Sequence, residues 1–116
     1  MGILGIGTDI IKTARFEGVT PRFTERAFTP NERAYLFGKP IASAAGLFAA
    51  KEAVAKALGT GFRGFWPNDI EIYHDEWGKP QVQLHNGAKE AAGDCRIHIS
   101  ISHTDTDAIA FAVIEK

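Results

Sequence analysis

The sequence predicts an α+β domain with a mainly antiparallel sheet and one long central helix. Three observations carry that expectation. An apolar run at residues 3–11 is broken only by two glycines, Thr8 and Asp9. A proline-free, alanine-rich stretch that carries Lys51, Glu52 and Lys56 follows from Ala42 to Leu58. Two pairs of strictly alternating segments then follow, each pair joined by a short turn.

Taken in order, Ile-Leu-Gly-Ile-Gly-Thr-Asp-Ile-Ile (3–11) reads as a buried strand. Alternation places Ile3, Gly5, Gly7, Asp9 and Ile11 on one face and Leu4, Ile6, Thr8 and Ile10 on the other. Asp9 therefore shares its face with two glycines. Carboxylates and glycines both weaken strands, and together they signal a ligand or a close backbone approach. Two helix starts come next. Thr20-Pro21 supplies a cap before a first-turn proline, and Thr29-Pro30-Asn31-Glu32 completes a capping box. Gly38 and Pro40 precede the central helix, and Gly59 offers its left-handed stop. Asp69–Tyr73 should pair with Gln81–Leu84 through a Trp-Gly-Lys-Pro turn. Asn86–Ala92 should be a short helix capped by Asn86. Arg96–His103 and Ala108–Ile114 should form a second hairpin through Thr104–Asp107.

The length of 116 residues fits one domain spanning 1–116. Its 45% apolar and 23% charged residues are ordinary for a soluble globular chain. No apolar run nears the roughly 20 residues of a bilayer span, so no membrane association is expected. The N-terminus lacks a basic n-region and an adequate apolar segment, which predicts no secretory signal. The lone Cys95 fits a reducing cytoplasm and reads as a structural filler. A net charge of −1 argues against nucleic acid. Lys12, Arg15, Arg22, Arg26 and Arg33, against Glu17, Glu25 and Glu32, nevertheless make the N-terminal segment basic, which suits an acidic protein or an anionic ligand and equally suits charge scatter on a solvated helix.

Chemistry concentrates in few residues. Glu52 and Lys56 are four apart on the central helix and share a face lined by alanines. Alone, they read first as a solvated i,i+4 ion pair and only second as the two sides of a charged ligand. Asp9 on the first strand adds a second carboxylate, and His103 ends an alternating strand. Two carboxylates from separate elements suit Mg²⁺, which takes one or two protein carboxylates and leaves its other positions to water or phosphate. Lysine and histidine nearby would neutralise a pyrophosphate.

Three strings are more specific: Gly-Ile-Gly-Thr-Asp-Ile (5–10), Phe-Ala-Ala-Lys-Glu-Ala (48–53) with Lys-Ala-Leu-Gly-Thr-Gly (56–61), and Ser-Ile-Ser-His-Thr (100–104). In order and spacing they resemble the holo-acyl-carrier-protein synthases, the small type of 4′-phosphopantetheinyl transferase. Supporting matches are Arg22-Phe-Thr-Glu-Arg26, Asp69–Ile72, Gly78-Lys-Pro80 and the closing Val-Ile-Glu115.

The resemblance implies the 4′-phosphopantetheinyl transferase fold. It also implies transfer of the phosphopantetheine arm of coenzyme A to a serine of an apo acyl carrier protein, releasing 3′,5′-ADP. By the same resemblance Asp9 and Glu52 hold Mg²⁺, and Lys56 contacts the phosphates. Gly59, Thr60, Gly61, His103 and Thr104 line the nucleotide site. Arg15, Arg22 and Arg26 would lie on the first helix and meet the acidic carrier. Glu52 and a metal-bound water are both candidates for the base, with water preferred. The family is typically trimeric, with active sites between subunits. Two departures stand out. Leu47 occupies a position where the family commonly has Arg, and the segment Thr29–Ala45 is short. Two other functions share these residues: a coenzyme A or nucleotide-binding module without catalysis, and a metal-dependent phosphohydrolase.

Overall fold

A computed structural model describes residues 2–116. Met1, the first residue of the N-terminal and domain readings, lies outside them. The elements run β1 (Ile3–Lys12), a 3₁₀ turn (Thr13–Phe16), α1 (Pro21–Ala27), α2 (Pro30–Leu36), α3 (Ile41–Leu58), a 3₁₀ turn (Pro67–Asp69), β2 (Ile70–His74), β3 (Pro80–Leu84), α4 (Asn86–Ala92), β4 (Arg96–His103) and β5 (Asp107–Glu115). The α+β architecture is as expected, with the strands divided between two antiparallel sheets. One has the order β1-β5-β4, and the other is the β2–β3 hairpin.

The first strand pairs with the last, from Ile3 opposite Glu115 to Lys12 opposite Asp107. β4 pairs with the other side of β5, so β1 and β4 are the two edges of this sheet. α3 lies across its inner face and is buried along nearly its whole length. The glycines of β1 explain how. A Cβ on Gly7 would collide with the carbonyl oxygen of Ala53, and one on Gly5 with that of Ala57. Small residues on both sides let helix and strand backbones touch, so the close-approach reading of these glycines is the one the structure bears out. The alanines of α3 pack there, rather than leaving space for a ligand.

Local signals act as read. Thr20 Oγ1 accepts from the Phe23 N–H at 3.1 Å. In α2 the Thr29 and Glu32 side chains each accept the other's backbone N–H, at 3.2 and 2.8 Å. Gly59 ends α3 at φ 80°, where glycine is free of the left-handed penalty. One expectation fails: Asn86 does not cap α4. His85 stands at the cap position without a side-chain bond, and Asn86 has φ 50°. The Asn86 amide instead donates to Asp69 Oδ1 at 2.9 Å, tying α4 to the turn before β2. No helix among the described residues is long and apolar enough to cross a membrane.

Candidate active site

Asp9, Glu52 and Lys56 come together where β1 crosses α3. Pairing with β5 and the buried glycine face turn Asp9 inward, towards the helix. Lys56 Nζ donates to Asp9 Oδ1 at 3.3 Å and to the Thr8 carbonyl at 3.0 Å. The helical pair of Glu52 with Lys56 is thus not the contact that forms; the lysine reaches across to the strand. Arg15, in the 3₁₀ turn, is close enough to act electrostatically on Glu52. The next residue anchors that turn. Phe16 is buried against Phe23, Phe28 and Phe48, with ring centroids 5.7–6.2 Å away.

Burial pushes the Glu52 carboxyl above its usual value of 4.5, and the facing Asp9 carboxylate pushes it further. Lys56 and Arg15 oppose the rise without cancelling it. Two half-buried carboxylates from separate elements, with Lys56 and Arg15 at their margin, are a donor set of hard oxygens. A hard cation fits it. Among the described residues no group of three or more His, Cys, Asp or Glu converges, so protein ligands would fill only part of the coordination shell. That matches Mg²⁺, whose remaining positions belong to water and phosphate.

His103 and Thr104 stand elsewhere. His103 lies opposite Ala108, which lies opposite Ile11, so β5 separates it from β1. Two strand spacings amount to about 10 Å. Within one chain the predicted site is therefore split across the two edges of the sheet. The Thr104 hydroxyl accepts the backbone N–H groups of Thr106 and Asp107 at 3.2 and 3.1 Å, which closes the hairpin. His103 lines a hollow of about 170 Å³ together with Leu47, Ser43, Tyr35 and His74. Leu47 is a core residue there, 2% exposed.

Gly59, Thr60 and Gly61 follow Lys56 directly, and the Gly61 N–H donates to the Ala55 carbonyl at 3.2 Å. Arg22 and Arg26 are exposed on α1, but Arg15 is not on that helix; the Glu17–Thr20 segment separates the two elements. Arg33 turns inward, with Nη1 donating to the Phe28 carbonyl at 2.6 Å. Sequence reasoning missed the Tyr35–His74 stack at the hollow, with centroids 4.3 Å apart and Lys39 over the Tyr35 ring. A 39-residue separation between two lone rings offers no periodic signal.

Residues 5–112 match the model of the 4′-phosphopantetheinyl transferase superfamily. A holo-[acyl-carrier-protein] synthase of Clostridium novyi is 50% identical over 97% of this chain and 88% of its own length. A crystal structure of the synthase from Neisseria meningitidis superposes with a TM-score of 0.88 at 38% identity, covering 99% of this chain and 100% of the other. The synthase from Bacillus anthracis, in complex with CoA (3′,5′-ADP), gives 0.85 at 39% identity, covering 98% and 97%. On a match that spans nearly every element described, the chain belongs to the 4′-phosphopantetheinyl transferase superfamily.

Proposed function

We propose that this protein is a holo-acyl-carrier-protein synthase that moves the 4′-phosphopantetheine arm of coenzyme A onto a serine of an apo acyl carrier protein. The observation that carries the reading is the Asp9–Glu52 pair faced by Lys56 and Arg15. Asp9 and Glu52 would hold Mg²⁺, which supplies charge neutralisation to the pyrophosphate when bound. Lys56 reaches the same side and neutralises a phosphate oxygen as charge develops on the leaving 3′,5′-ADP. The serine oxygen forms its bond to the phosphorus that carries pantetheine, and the bond from that phosphorus to the ADP oxygen breaks. A water hydrogen-bonded to Glu52 takes the seryl proton.

The carrier meets Arg22 and Arg26 on α1 and Arg15 beside it, where their charge favours an acidic partner. Gly59–Gly61 and the His103–Thr104 corner contact the nucleotide, and they do so from different copies of the chain. Two features support a shared site. β1 and β4 are opposite edges of one sheet. The outer face of that sheet also carries Leu4, Ile6 and Ile10, 61–68% exposed, beside Ile109 and Phe111. An antiparallel sheet facing water should be polar there, so a second copy covers this face, in a homotrimer.

The test is to mix the protein with an apo carrier, coenzyme A and Mg²⁺, then weigh the carrier. A phosphopantetheine mass gain is expected. Coenzyme A binding without gain would make this a binding module, and release of inorganic phosphate would make it a hydrolase.

A further inference from the structure

Lys51, the residue before Glu52, belongs to none of the chemistry above, yet its side chain is 0% exposed. Its Nζ donates to Glu32 Oε1 at 2.6 Å and to the Pro67 carbonyl at 3.0 Å. Glu32 accepts in addition the Thr29 N–H at 2.8 Å and the Ile72 N–H at 2.7 Å. One buried pair thus joins α2, α3, the 3₁₀ turn after Trp66, and β2. A buried ion pair is a poor source of stability, because an apolar pair of similar volume often serves as well or better. What an apolar pair could not do is donate to Pro67.

That bond has a specific place. The loop Gly59–Trp66 leaves α3 at its C-terminus and ends at Pro67. It is fastened to α3 twice: by the Gly61 N–H on the Ala55 carbonyl and by Lys51 on the Pro67 carbonyl. Residues 51 and 55 share one face of the helix, about 6 Å apart along its axis. Glu52 and Lys56 form the neighbouring pair, rotated by about 100° and at the same spacing.

We propose that Lys51, clamped by Glu32, is a positioning residue that holds the far end of the Gly59–Trp66 loop on α3, so that loop and Glu52–Lys56 pair meet coenzyme A as one rigid unit. This rests on reading Gly59–Gly61 as a nucleotide contact. The anchor itself can be read without any activity, because the loop carries an exposed trypsin site at Arg63.

In Lys51→Met, tryptic cleavage of the folded protein after Arg63, followed by mass, should accelerate roughly tenfold, the equivalent of one lost hydrogen bond of about 1.4 kcal/mol. The KM for coenzyme A should rise by a similar factor, with kcat changed less than about twofold. Lys51→Met leaves Glu32 buried and unpaired, so the double variant Lys51→Met/Glu32→Gln is made alongside and carries the test if the single one does not fold. It should regain only part of the thermal stability, because an amide accepts just one of the two backbone N–H groups that the carboxylate takes, but keep the faster cleavage and the raised KM. Unchanged cleavage at Arg63 in either folded variant overturns the proposal, as does a KM that recovers together with stability. A wild-type protein that transfers nothing would remove the functional reading alone; the cleavage rates would still judge the anchor.

Discussion

Replacing Glu52 by glutamine separates charge from shape at the centre of the candidate site. In the folded protein the Glu52 carboxyl is raised above 4.5, first by burial and then by Asp9. The folded state therefore binds more protons than the unfolded one between that value and the raised one. Stability is greatest below this window and falls as pH rises through it. At pH 8, without metal, the ionised carboxylate is a net cost, which Glu52→Gln removes. The group is only half-buried, so solvent screening limits the gain to about 0.5 kcal/mol. For a chain of this length that is about 2 °C in Tm. Magnesium should reverse the order. At a hundredfold excess over its dissociation constant a ligand adds about 2.7 kcal/mol, roughly 10 °C here, and the wild type should gain it while the variant gains little. Transfer should fall about 10²–10³-fold, the usual cost of removing one preorganised charge-stabilising group. The assays are thermal melts at pH 5 and pH 8 with and without Mg²⁺, beside carrier mass gain. A variant that keeps wild-type turnover at limiting Mg²⁺, or that is stabilised by the ion as much as the wild type, would refute the metal-ligand role.

Other consequences follow from the same geometry. Lys56→Met should lower kcat about 10²-fold; its side chain is 53% exposed, so a melt should show a change in stability of no more than about 0.5 kcal/mol. Gly7→Ala drives a methyl into the Ala53 carbonyl and should cost about 3 kcal/mol in urea unfolding, whereas Gly18→Ala, with open space around it but φ 65°, should cost only the left-handed penalty of about 1 kcal/mol. Arg22→Glu with Arg26→Glu should raise the KM for the carrier at least tenfold, the more so at low salt, and leave that for coenzyme A unchanged. If sites are shared between copies, Asp9→Asn and His103→Ala proteins, each inactive, should regain transfer when unfolded and refolded together. Ile10→Asp should yield monomers by sedimentation and lose activity.

Local structure was readable because it is set by neighbours in sequence. The Thr29–Glu32 capping box, the Gly59 stop and both hairpins each need only a few adjacent residues, and all stand where the sequence places them. Asn86 is the exception: an asparagine before a helical run favours capping, but a tertiary bond to Asp69 claims its amide. The carboxylates, the lysine and the arginines of the candidate site could also be named from residue type and spacing. Their partners could not. The intrahelical spacing of Glu52 and Lys56 suggested an ion pair, but β1 places Asp9 within reach of the lysine and within range of the glutamate.

By itself, then, the sequence determined the elements, their caps and turns, and which side chains could do chemistry, because propensity and alternation are local properties. The tertiary structure alone decided what those side chains face. The pairing of first strand with last spans almost the whole chain and carries no periodic trace. That pairing puts Asp9 beside Glu52, leaves His103 on the far edge of the sheet, and turns Leu4, Ile6 and Ile10 outward. The buried bond from Lys51 to Pro67 is of the same kind: a lysine in an alanine-rich helix looks solvated until the loop that folds over it is in place.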